Sequence, residues 1–212
     1  MTQITTPAGT FTVATGKTHP GYSIATFAEE QLFRDMHWRP QQGDVCVDVG
    51  AAYGAYTLPA LAAGATVHAF EPVRDVCNDL RRNVELNGWR PRCAVYEFGL
   101  LDALGTIQMK EYAPHWPAGT AEEPFTVDTL DNWATRTKIG RLDWLKMDIE
   151  GAEERAIRGG LETIERLRPV LIVECHTFLD ADLPRKIRAL LPGYSFDEYP
   201  REPCVMLVGR AA

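Results

Sequence analysis

A mixed α/β fold with a mostly parallel sheet is what this sequence predicts, and three observations carry the prediction. Strand-like apolar runs alternate with helix-like periodic runs from residue 45 to about 175. Most of those runs are continuously apolar, as strands buried on both faces are, and do not alternate. The last thirty or so residues add a helix and two closely spaced strands, near enough to pair as an antiparallel hairpin.

The expected strands are 45–49 (VCVDV), 66–70 (TVHAF), 93–98 (CAVYEF), 143–148 (DWLKMD) and 170–175 (VLIVEC). Helices are expected at about 54–63, 73–87 and 151–166. In the middle one Val76, Leu80 and Val84 repeat every fourth residue, Arg81 and Arg82 face outward, and Asn87-Gly88 stops the helix. Ahead of the first strand, "YSIATFAEEQLFRDMHW" sets Ile24, Phe27, Leu32, Phe33 and Met36 near one stripe, so an N-terminal helix packs on the domain. The aperiodic stretch 112–126, with three prolines, reads as a surface loop. No internal repeat is present. One domain over 1–212 is expected, made of an N-terminal helical segment (1–42), a cofactor-binding core (43–178) and a C-terminal helix and hairpin (179–212).

Lysine and arginine total 22 against 29 aspartates and glutamates, a formal charge of −7. That sign disfavours a phosphate backbone as partner. The five cysteines contain no C-x-x-C pair, which suits neither a disulfide framework nor a zinc site and points to a reducing, cytoplasmic setting. The N-terminus lacks both the basic start and the apolar core of a signal peptide, and no apolar run reaches the ~18 residues of a membrane span.

The segment "DVGAAYGAYT" (48–57) follows the first strand as a nucleotide-binding turn would. A dinucleotide turn would need glycines where this chain has Gly50, Ala52 and Ala55, so two of three are missing. The looser spacing of methyl-donor sites keeps Gly50 and Gly54, with Ala52 small enough between them. Glu71 ends the second strand 21 positions after Gly50, where an acid accepts both hydroxyls of a ribose; otherwise it is an exposed strand-end carboxylate. After the third strand, Leu100 would line an adenine and Asp102 bond its amino group, or Asp102 caps the following turn. The fourth strand delivers Asp148 to the crevice at the carboxyl edge of the sheet, followed at once by Glu150, Gly151 and Glu153. Acids such as Glu153 and Glu154 are ordinary at a helix start.

Taken in order, "VDVGAAYGAYT", "FEP", "NVELNG", "LKMDIEGAE" and "RPVLIVECH" resemble the FkbM family of S-adenosylmethionine-dependent methyltransferases over about residues 43–178. The resemblance implies a class I methyltransferase (Rossmann-like) fold with seven strands, and methyl transfer to oxygen on sugars, polyketides or other natural-product scaffolds. The family usually has asparagine where this chain has Ala52. Carried across, Gly50 and Gly54 would form the donor turn, Asp48 would fix its amides from below, and Glu71 would hold the ribose. Asn83 and Asn87 match structural asparagines, and Asp148, Glu150, Gly151 and Glu174 match acidic strand-end positions that would face the transferring methyl.

Methyl transfer needs an aligned acceptor oxygen and a group to take its proton. Asp148, Glu174 and His176 would converge at neighbouring strand ends as a general base, as a three-ligand site for a magnesium-like ion, or as a structural carboxylate network. Tyr112, His115 and Trp116 could close over a small acceptor bearing a hydroxyl, or tuck against their own loop; His19 and Tyr22 stand in the same position. His68, within the second strand, reads as packed in the sheet. Two rival functions remain: a methyltransferase-like binding module without catalysis, and a nicotinamide-dependent oxidoreductase, which the missing glycines disfavour.

Overall fold

A computed structural model describes residues 1–14, 34, 36–108 and 124–212. The chain folds as two compact units, Met1–Glu97 and Phe98–Ala212. The division falls inside the 43–178 stretch expected as the core, just after its third strand.

The first unit opens with a hairpin, β1 (Thr2–Thr6) and β2 (Gly9–Val13), that the sequence reading did not anticipate. Three parallel strands follow, β3 (Val45–Val49), β4 (Thr66–Phe70) and β5 (Cys93–Tyr96), paired β3 to β4 and β4 to β5. Between them run α1 (Thr57–Ala62) and α2 (Arg74–Leu86). Strand interiors such as Cys46, Val47, Val67 and Ala69 are fully buried, and α2 buries Val76, Leu80 and Val84, the stripe its four-residue repeat encodes. Gly88, at φ 70°, ends the α2 turn as expected.

The hairpin is tied to α2 by two asparagines. Asn83 accepts the N–H of Ala14 (2.8 Å) and donates to the carbonyl of Tyr53 (3.1 Å). Asn87 accepts the N–H of Thr12 and donates to its carbonyl, both at 2.8 Å. A side-chain amide thus completes the ladder that β2 lacks on that edge.

The second unit holds a small sheet of β6 (Gly99–Leu100), β7 (Gly105–Ile107) and β8 (Phe125–Asp128), then α3 (Leu130–Thr137), β9 (Trp144–Met147), α4 (Glu153–Arg158), α5 (Leu161–Leu167), β10 (Val170–Cys175), α6 (Leu183–Leu190), β11 (Tyr194–Arg201) and β12 (Cys204–Ala211). Here β9 and β10 are parallel, β12 lies antiparallel on β10, and β11 and β12 form the terminal hairpin. The result is the mixed α/β fold with a large, mostly parallel sheet that the sequence predicts.

Two expectations are corrected. The single helix over 151–166 is two, α4 and α5, broken at Gly159-Gly160: a Cβ on Gly159 would stand 1.9 Å from the carbonyl oxygen of Leu101, and one on Gly160 2.8 Å from Leu130. Of the stripe expected ahead of β3, Ile24, Phe27, Leu32 and Phe33 lie outside the described residues. Met36 is described and is exposed; Arg34 is buried instead, its guanidinium donating to the carbonyl of Ala55 (3.1 Å). Among the described residues no helix is long and apolar enough to cross a membrane.

Candidate active site

In the first unit, the turn after β3 is held by its own backbone and by one carboxylate. The N–H groups of Gly50 and Ala51 both donate to the carbonyl of Phe70 (3.0 Å each). Ala52 N–H donates to Oε2 of Glu71 (3.1 Å), while Oε1 of Glu71 accepts from Val73 at the head of α2 (2.9 Å). Glu71, only 6% exposed, therefore staples the turn to the next helix. Asp48 is fully buried and accepts the Thr57 hydroxyl at the start of α1 (2.6 Å), so it pins the helix that carries the turn away.

The backbone explains the residue types. Gly50, Ala52 and Gly54 all lie in the left-handed region, at φ 74°, 45° and 101°. For the alanine this costs about 1–2 kcal/mol, a cost that asparagine meets more readily. A Cβ on Gly54 would also stand 2.9 Å from Leu58 and from Leu80, so this glycine serves close packing of α1 and α2 as well as the turn. His68 stacks on Tyr96, with Nδ1 3.2 Å from its hydroxyl, and burial lowers its pKa.

In the second unit, Leu100 is fully buried in β6. Asp102 bonds the guanidinium of Arg155 on α4 (2.8 and 3.1 Å), and that bond holds its carboxyl below the usual range. As the chain stands, Asp102 anchors α4.

The polar residues after β9 and β10 form one cluster around His176, which is 4% exposed. Its Nδ1 lies 2.9 Å from Oε1 of Glu153, its Nε2 3.1 Å from Glu150 and 3.8 Å from Asp148. Glu150 reaches the ring because it takes the left-handed conformation (φ 61°), followed by Gly151 at φ 107°, before α4 begins. Behind Asp148, the buried Lys146 points its Nζ to within 3.6 Å, two residues back along β9 and so on the same face. Glu174 on β10 is bound by Arg201 of β11 at 3.0 Å.

Electrostatics divide the roles. Burial lowers the proton affinity of His176, yet the hydrogen bonds to Glu150 and Glu153 outweigh it and push its pKa up to about 11. The ring is an imidazolium at neutral pH. Burial raises the pKa of Asp148 against the pull of Lys146, and the Glu150 carboxylate adds to the rise.

The trio Asp148, Glu174 and His176 does not share one point. His176 groups with Asp148 and Glu150 on one side, and with Glu174 and Cys204 on the other, the ligating atoms of each set lying within 4.8 Å of one another. The sequence reading passed over Lys146 and Arg201, took Glu153 for an ordinary helix-start acid, gave Cys204 no ligand role, and left Glu150 out of the catalytic set. For Lys146 the two-residue spacing to Asp148 was a usable signal; nothing in the sequence marked Glu150 as the partner of His176. His19, Tyr22, Tyr112, His115 and Trp116 lie outside the described residues.

A family model described as the Methyltransferase FkbM domain matches residues 48–198. A 2-O-methyltransferase, NoeI, of Sinorhizobium fredii is 31% identical over 106 residues, covering 47% of this chain and 44% of that protein. The chain thus spans less than half the length of this curated relative. The crystal structure of Methyltransferase FkbM from Methylobacillus flagellatus superposes with a TM-score of 0.64 at 21% identity, over 85% of this chain and 47% of that one. A conserved hypothetical protein of Streptococcus pyogenes follows at 0.57 and 13%, covering 87% and 95%. These superpositions speak for the fold.

Proposed function

The chain belongs to the FkbM methyltransferase family, and from that premise we propose that it moves the methyl group of S-adenosylmethionine to a hydroxyl oxygen of a small acceptor. The observation that carries the donor half is the turn at Gly50–Gly54, stapled by Glu71. A carboxylate has about four acceptor positions, enough to hold two amides and a ribose diol together. Small residues at 50–52 keep bulk away from the backbone there, so the residues fit the donor.

Bound, S-adenosylmethionine would supply an electrophilic methyl carbon, with S-adenosylhomocysteine as the leaving group. The chain's part is to hold that oxygen in line and to take its proton. Asp148 is the group suited to this. Its side chain is 20% exposed and reachable, and its raised pKa makes it a stronger base than an ordinary carboxylate. His176, already protonated, does not act as base; it fixes Glu150 and steadies the charge beside Asp148. Glu174 is neutralised by Arg201 and supports β10 and β11.

Transfer to oxygen is favoured by the likeness to the 2-O-methyltransferase NoeI, and an acceptor of the sugar or natural-product kind fits the same reading. Nucleic acid is disfavoured by the charge of −7. The five cysteines are free thiols, in keeping with a reducing cytoplasm.

Calorimetric titration with S-adenosylhomocysteine tests the proposal. Micromolar binding is expected, about 10- to 100-fold weaker in Glu71→Ala. Absence of binding would favour the rival reading of a non-catalytic module. Repeating the titration with magnesium tests the metal reading of the His176 cluster, for which the acid–base reading predicts no change.

A further inference from the structure

We propose that Glu153 is a positioning residue for methyl transfer, setting both the His176 ring and the Glu150 bend through one buried oxygen. The inference rests on the reading of Asp148 as the base, and adds a residue that sequence reasoning treated as an ordinary helix-start acid.

Oε1 of Glu153 collects three donors. The N–H groups of Ile149 and Gly151 approach at 3.2 Å each, and His176 Nδ1 at 2.9 Å. The two amides belong to the Asp148–Ile149 and Glu150–Gly151 peptide units, so the bond pair brackets Glu150 and its left-handed φ of 61°. The third donor selects the ring orientation: with Nδ1 on Glu153, Nε2 is turned to Glu150 and Asp148, where a flipped ring would present carbon. One atom thereby controls the direction of β9's exit and the face that β10's histidine presents.

The form of the residue argues against a purely stabilising role. An acid that merely complements a helix start does so from the surface, where water solvates it. Glu153 is fully buried, and its Oε2 has no hydrogen-bond partner among the described residues. A half-satisfied buried carboxylate is a poor means of stabilising a fold, since an apolar residue of similar size is often as good or better. Its presence there is explained if the geometry it imposes matters more than the burial it costs. The arrangement is the general one in which a second carboxylate orients a histidine by fixing one ring nitrogen.

The test uses the full chain with isotopically labelled histidine, as wild type, Glu153→Gln and Asp148→Asn, with His176→Asn to assign the ring signals and thermal melting to confirm folding. Glutamine keeps the size and an acceptor oxygen but loses the charge. A slowly exchanging Nδ1–H signal of His176 is expected in the wild type and displaced in Glu153→Gln. Affinity for S-adenosylhomocysteine should stay unchanged, while kcat for methylation of methyl glycosides falls about 10- to 100-fold at unaltered KM. A ring signal that Glu153→Gln leaves in place overturns the proposal, as does full turnover once the signal has moved. Should no glycoside be methylated, the ring signal alone decides. Wild-type turnover in Asp148→Asn would instead overturn the base reading, so the two failures are told apart.

Discussion

The backbone N–H of Ala52 donates to the carboxylate of Glu71 at 3.1 Å, joining the one alanine of the turn that stands in left-handed space to the tip of the neighbouring strand. The alanine is thus strained, and held by a bond that needs no particular side chain at that position.

That strain should be measurable. Ala52→Asn is expected to leave stability unchanged or raise it by up to about 1 kcal/mol, because asparagine accepts the left-handed region, whereas Ala52→Val should cost about 1–3 kcal/mol. Urea denaturation of the two variants checks both directions, and donor affinity should fall in Ala52→Val, whose added bulk stands at the turn.

For Asp148→Asn, kcat is expected to fall about 100- to 10,000-fold, the usual span for loss of a general base, with S-adenosylhomocysteine binding intact. Steady-state kinetics beside calorimetry makes the comparison. Equal losses in both would mean that Asp148 serves the donor.

Stability should decline with alkaline pH. His176 is raised from 6.5 to about 11 by its carboxylate partners, so its contribution is complete below about pH 6.5 and is lost as pH rises through about 11. Asp148 runs in the same sense, since a carboxyl whose pKa is raised by burial binds its proton more tightly when folded. Urea midpoints across the alkaline range should fall more steeply for wild type than for His176→Asn.

Asn83→Ala removes an acceptor from Ala14 and a donor from Tyr53, both buried, and should destabilise the first unit by about 2–4 kcal/mol. Hydrogen exchange at Ala14 and Thr12 should accelerate with it. Loss of global stability without faster exchange in β2 would show that the asparagine matters for α2 alone.

The strands and α2 were legible because each is encoded over its own length, by continuous apolar runs or a four-residue repeat. The β1–β2 hairpin was not: half of its strand residues are threonine, and what holds it is supplied by Asn83 and Asn87, some seventy positions away. The strands β6 and β7 are too short to show a period, and α3 has eight residues whose main signal is the Thr129 cap on Asn132. The turn after β3 was readable from its glycine spacing, and Glu71 was placed beside it, although as a ligand for a ribose and not as the staple of the turn to α2. The His176 cluster was half readable: strand ends announced Asp148 and Glu174, but the left-handed Glu150 that reaches the ring, and the buried Glu153 that holds it, are decided by backbone direction and not by spacing.

The break between α4 and α5 sets a limit on how this chain can vary. With the Leu101 carbonyl 1.9 Å from where any β-carbon would stand, Gly159 has backbone on the far side, which no rotamer can relieve. Exhaustive substitution there would find a single tolerated residue, although it touches no proposed catalytic group. Descendants of this sequence therefore inherit the glycine that closes α4 fixed, whatever they change elsewhere on that helix.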